Sequence, residues 1–172
     1  MHQISMRRGL TGIAAMMCVL AIGSQPIRAA DNFDIAAQWT TKLAPQVIAW
    51  RRDLHQHPEL SNREFRTSAL VAKELRALGL EVKTNVAHTG VIALLKGGKP
   101  GPKLAIRADM DALPVTEDVD LPFKSLAHGQ YNGHDVGVMH ACGHDGHTAM
   151  LLGIATAMAG MRKDLPGEVL FI

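Results

Sequence analysis

The chain has 172 residues, room for one domain with its own core or for one domain and part of another. Its 47% apolar and 20% charged content is that of a globular protein, and 4% aromatic content argues against a base-stacking platform for nucleic acid. The formal charge of +2 originates at the N-terminus. Arg7, Arg8 and Arg28 all precede Asp31, so 15 of the 18 basic residues remain against 16 acidic ones, and no basic face for nucleic acid or anionic lipid is implied.

Residues 1–30 have the pattern of a cleaved secretory signal. Arg7 and Arg8 form a positive start, Gly12 to Gly23 is an apolar run too short for a membrane span, and small residues favour a cut after Ala29 or Ala30. The expectation is a secreted or periplasmic protein with no membrane association after cleavage. Cleavage would leave Cys142 as the sole cysteine, and an exported, unpaired thiol among histidines is expected to serve as a metal ligand.

Residues 31–44 are polar and mixed, and are expected to be a mobile lead-in. From Pro45, residues Val47, Ile48, Trp50 and Leu54 have helical spacing, so a helix is predicted over 45–56 and stopped by Pro58. His55 and His57 at its end are assigned to capping or to the surface rather than to a metal. Ser61 with Glu64 has the form of a capping box opening a second helix that ends at Gly79.

Alternation over 80–86 predicts a half-buried strand, and 90–95 a second one. Gly97 to Pro102 has the composition of a tight loop. A third strand over 103–108 ends in Asp109-Met110-Asp111. Two carboxylates at the carboxyl end of a strand sit where open α/β sheets take ligands, so Asp109 and Asp111 are candidates to bind a cation or to orient a metal-bound histidine; a solvated turn is the equal alternative. Residues 118–136 are read as a long loop with His128 and His134 on the surface.

The chain is organised around residues 138–147. His140, Cys142 and His144 are spaced i, i+2, i+4, which on an extended backbone directs all three one way, and Gly143 allows a close turn. A thiolate with imidazoles favours zinc, iron, cobalt or nickel over calcium or magnesium. A buried cysteine beside surface histidines is the plainer alternative. Asp145 then stands in the first turn of a helix expected over 147–161, apolar on most sides. Residues 168–172 begin a buried strand, and ending there suggests an incomplete sequence.

Three stretches, Arg51 to Leu60, Ile106 to Pro114 and Met139 to His147, together resemble one group: the amidohydrolase branch of the aminoacylase/carboxypeptidase-type dinuclear metallopeptidases, which includes hippurate hydrolases and plant auxin-conjugate hydrolases. The resemblance covers residues 45–172. It implies an α/β fold, a three-layer zinc-peptidase-like domain with a central mixed sheet, here truncated, with the small inserted lid or dimerisation domain absent. It implies two divalent metals in the complete enzyme (Mn, Zn, Co or Ni), with Cys142 and His144 as ligands and Asp111 steadying a ligand; Asp109 stands where related branches have a ligand histidine. His140, Asp109 and Asp145 are candidates to support the ligands from behind.

The implied activity is hydrolysis of the amide bond of N-acyl amino acids, hippurate-like small molecules, by metal-activated water. The general-base glutamate and later ligand histidines that the resemblance implies are not among these 172 residues. The chain alone is therefore expected to be inactive. The alternative is a truncated, non-catalytic product that binds a metal or a partner.

Overall fold

The computed structural model describes residues 29–172. The leader expected over residues 1–30 therefore lies outside the described residues, apart from its last two. Ala29–Gln56 form one helix, α1. The structure differs from the sequence expectation in two ways: residues 31–44, read as a mobile lead-in with no predicted element, are helical, and Pro45 lies within the helix instead of opening it. Thr40 and Thr41 donate their hydroxyls to the carbonyls of Ala36 and Ala37, which holds the turn before the proline. No helix among the described residues is long and apolar enough to cross a membrane.

Helix α2, Phe65–Ala77, begins three residues later than the capping-box pattern implied. Its N-cap is Glu64, and its open N–H groups are met from outside: Glu59 accepts from Arg66 N and Thr67 N at 3.0 and 2.8 Å. A carboxylate there satisfies two donors and opposes the positive end of the helix. Glu64 turns inward instead, accepting from Thr89 Oγ1 at 2.5 Å and from Asn62 N.

Strands β1, Glu81–Val86, β2, Gly90–Lys96, and β3, Lys99–Ile106, follow. The Gly/Pro stretch expected to be a loop is partly strand, since β3 starts at Lys99. Its prolines are tolerated because β3 is an edge strand and its pairing with β6 is interrupted between Lys99 and Lys103, where both prolines lie. A short hairpin, β4, His128–Tyr131, and β5, His134–Gly137, replaces the long loop expected over 118–136. It turns at Asn132 and Gly133, both at positive φ, the backbone that asparagine and glycine tolerate best. Helix α3, His144–Gly160, and strand β6, Pro166–Phe171, complete the order.

The main sheet runs β1-β2-β6-β3, with β2 antiparallel and β3 parallel to β6. It is the mixed sheet expected. Val91, Ala93 and Leu95 of β2 and Val169 and Phe171 of β6 face Val71, Ala72 and Leu75 of α2 and Leu151, Leu152 and Ala155 of α3. This is the core, and the period-2 and period-3.6 patterns meet in it. Among the described residues the helices lie on this one face, giving two layers of the three expected. Helix α1 packs on the outer side of α3. There a Cβ on Gly153 would come within 2.8 Å of Val47 Cγ2, so the absence of a side chain lets the helices approach.

Candidate metal centre

Backbone hydrogen bonds draw three distant stretches together. Ala112 N donates to Glu59 O at 2.8 Å, while Leu113 and Met139 exchange bonds of 2.9 and 3.1 Å. Leu60, Ala112 and Val138 form a small apolar cluster beneath this seam. The segment after Leu54, the segment after β3 and the segment before α3 thus lie side by side at one end of the fold.

At that seam the backbone from His140 to Gly143 turns rather than extends. Ala141 N bonds Met139 O, Gly143 N bonds His140 O, and Gly143 sits at φ 80, ψ 17 as the N-cap of α3. A Cβ there would meet nothing within 4 Å, so glycine is required by conformation and not by space. The extended i, i+2, i+4 convergence of His140, Cys142 and His144 is therefore corrected. His140 is buried, Cys142 is exposed as a free thiol, and His144 opens the helix.

His144 is the best-fixed of the three. Its Nδ1 lies 2.8 Å from Asp111 O and 3.0 Å from Asp111 Oδ1. Both partners accept, so Nδ1 carries the proton and Nε2 keeps its lone pair. A histidine held this way by a carboxylate is the usual form of a metal-ligating imidazole. Asp109 does not join it: its carboxylate pairs with Arg107, and its main-chain oxygen accepts from Thr148 Oγ1. Asp109 and Asp111 do line one cavity of about 380 Å³, with Glu64, Thr89 and Arg107.

His140 has no hydrogen-bond partner at either ring nitrogen. Burial, together with His55 and His144 nearby, pushes its pKa down to about 4 against the opposing pull of Asp145 and Asp111. It is a neutral imidazole at neutral pH.

Asp145 is 2% exposed and belongs to a buried polar network that the sequence did not reveal. Its Oδ2 accepts from His55 Nδ1 at 2.8 Å and from Arg51 Nε at 2.9 Å. His55 Nε2 lies 3.1 Å from Glu117 Oε1, and Glu117 Oε2 accepts from Ser125 N at 2.6 Å. Burial alone would raise the pKa of Asp145, but the hydrogen bond from His55 and the Gly146 N–H outweigh it and hold the group below the usual carboxylate range. For Glu117 the same contest is won by Ser125 N–H and His55. The assignment of His55 to capping or to the surface is thus corrected. His57 does cap, its Nδ1 donating to Asp53 O at 2.8 Å. No spacing rule links His55, Glu117 and Asp145, which lie 62 and 90 residues from His55.

The donors present suit a divalent metal by their chemistry: an accessible thiol, and an imidazole whose free nitrogen is fixed by Asp111. Among the described residues no three His, Cys, Asp or Glu side chains gather closely enough to enclose an ion.

Residues 105–172 match the profile of Peptidase family M20/M25/M40. Thermostable carboxypeptidase 1 of Saccharolobus solfataricus is 49% identical over 127 residues, covering 73% of this chain and 30% of that protein. An N-acyl-L-amino acid amidohydrolase of Geobacillus stearothermophilus is 48% identical over 131 residues, covering 76% and 33%. The solved structure of a Bacillus subtilis protein described as a dinuclear metal-binding peptidase from the M20 family superposes with a TM-score of 0.65 at 42% identity, covering 78% of this chain and 34% of that one. The chain spans about a third of the length of the relatives it matches.

Proposed function

Because residues 105–172 carry the sequence of Peptidase family M20/M25/M40, we propose that this chain is the portion of a metal-dependent amidohydrolase that supplies Cys142 and His144 to a divalent metal centre. The substrate class is an N-acyl amino acid, whose amide bond is cleaved by water. One relative is named for that activity and another for removal of a C-terminal residue, and both reactions cleave an amide next to an amino acid. Residues 1–30 support export to the periplasm or beyond.

The observation that carries the reading is the double contact of Asp111 on His144 Nδ1. It fixes the neutral tautomer that leaves Nε2 with its lone pair, two residues from an exposed thiol. Bound divalent ions would supply Lewis acidity toward the scissile carbonyl and toward water. The chain's own residues do the holding: Cys142 as thiolate and His144 Nε2 as donors, with Asp111 keeping the imidazole oriented and raising its basicity. The 380 Å³ cavity reaches the site at Asp109 and Asp111, not at Cys142 or His144, and its volume is that of a small-molecule pocket.

The test is cobalt(II) titration of the chain followed by the thiolate-to-cobalt charge-transfer band, with proton release measured alongside. Cys142→Ser is expected to abolish the band, and Asp111→Asn to weaken binding about 10- to 100-fold. In a protein carrying the chain together with the rest of the family's length, the same substitutions should remove hydrolysis of hippurate and related acyl amino acids. Metal binding and turnover indifferent to Cys142→Ser would end the proposal.

A further inference from the structure

The buried network around His55 has a closed form. Starting at Asp145 it passes through His55 to Glu117, from Glu117 Oε2 to Ser125 N, and from Ser125 Oγ to Val138 O at 2.6 Å. Its two ends, Val138 and Asp145, flank the turn that carries Cys142 and His144. We propose that His55 is a positioning residue for this turn, closing a ring of hydrogen bonds that ties both of its flanks to α1.

Both ring nitrogens of His55 face a carboxylate oxygen, Asp145 Oδ2 at 2.8 Å and Glu117 Oε1 at 3.1 Å, so the ring joins the two acids. Arg51 adds a cation on Asp145 Oδ2. His55, Glu117, Ser125 and Asp145 are all buried, which makes each bond directional and hard to replace by water. No other side chain on α1 reaches both flanks. Glu117 is held by His55 and by Ser125 N; without His55, the Ser125–Val138 end loses its hydrogen-bonded tie to the helix and keeps only the stacking of Arg51 and Arg52 on Phe123. The turn itself has only short-range backbone bonds, from Gly143 N, Gly146 N and His147 N. Arg51 and the packing of Val47 on Gly153 hold the Asp145 side to α1 as well, and the ring adds the tie that reaches the Val138 side. The consequence for metal binding rests on the proposed roles of Cys142 and His144.

The test compares His55→Asn with Val169→Ala, a core truncation in β6 that lowers global stability without touching the ring. Amide hydrogen exchange on the metal-free chain is the first readout. His55→Asn should speed exchange at Gly143, Gly146 and His147 at least tenfold more than at the amides of β6, whereas Val169→Ala should speed both groups alike. Uniform acceleration in His55→Asn, or none at the turn, overturns the proposal. Glu117→Ala, which keeps the imidazole and removes the acceptor joining it to Ser125 N, is judged by the same criterion if His55→Asn does not fold. Cobalt(II) affinity is the second readout, expected to fall about tenfold or more in His55→Asn and to hold in Val169→Ala. Equal affinity losses in the two variants count against positioning of the metal ligands. A wild-type chain that takes up no cobalt through Cys142 instead sinks the metal-centre reading and leaves the exchange pattern to decide the ring.

Discussion

Replacing Asp145 by alanine isolates the largest electrostatic commitment in the fold. The carboxylate is 2% exposed and accepts from Arg51 and His55. Its partners differ in what they lose. Arg51 is 41% exposed, so its guanidinium is rehydrated when the carboxylate goes, and its share is at most about 1 kcal/mol. His55 is 4% exposed and is left with a buried N–H facing nothing; breaking a buried pair by removing one partner costs about 3–5 kcal/mol. Loss of a first-turn acid from α3 adds about 0.3–1 kcal/mol. A total of about 3–7 kcal/mol is a large part of the roughly 5–15 kcal/mol that holds a domain folded. Urea denaturation of wild type and Asp145→Ala at pH 7, with m-values compared, measures it. The pH dependence gives a second handle. Asp145 and Glu117 are both held below their ordinary values, so their contribution is complete above about pH 4 and is lost as pH falls through the lower values of the folded state. The gap between wild type and variant should narrow below about pH 4. A difference under about 1 kcal/mol at pH 7, or one undiminished at pH 3, would refute the reasoning.

Glu59→Ala should destabilise the fold by about 0.5–2 kcal/mol, because it strips the acceptor from two N–H groups at the start of α2. Ser61→Ala, at the position the capping-box pattern singles out, should change little; thermal melts of the two variants decide between the carboxylate and the serine. His140 titrates near 6.5 when unfolded and about 4 when folded, so the unfolded chain takes up the proton first and stability falls as pH drops between those values. The loss amounts to about 3 kcal/mol. In His140→Leu that part of the pH dependence should disappear from denaturation midpoints measured on the metal-free chain, and its persistence would assign the slope to another group.

The parts of the fold legible in the sequence are those where burial is one-sided and local. Strands β1 and β2 and helices α2 and α3 each alternate or repeat against the same core, and their apolar residues announce the period. The misses are elements whose residues do not face that core. The first half of α1 leaves Phe33 and Ile35 exposed, so it has no buried stripe to detect. Lys99 to Pro102 join β6 at the sheet edge, where glycine and proline composition is permitted but indistinguishable from a loop. The hairpin β4–β5 was recoverable: Asn132-Gly133 is the strongest short-range turn signal, and polar strands on either side obscured it.

The site divides along the same line. Residue type and proximity in sequence singled out Cys142 and His144, and the motif after β3 pointed to Asp111, which the fold brings onto His144 across 33 residues. Spacing misled where it assumed a strand. The positive φ of Gly143 starts a helix within four residues of His140, which sends that histidine inward while Cys142 faces solvent. The residues left out, His55 and Glu117, are those whose role exists only in three dimensions. At a helix end, His55 looks like a capping residue, and nothing near Glu117 marks it as buried. Ligand chemistry is written locally because a metal needs its donors at set distances, but what holds the donors in place is drawn from wherever the chain returns. A stretch of ligand-type residues therefore identifies a candidate centre, while the side chains that buttress it include His55, 90 residues from the acid it contacts.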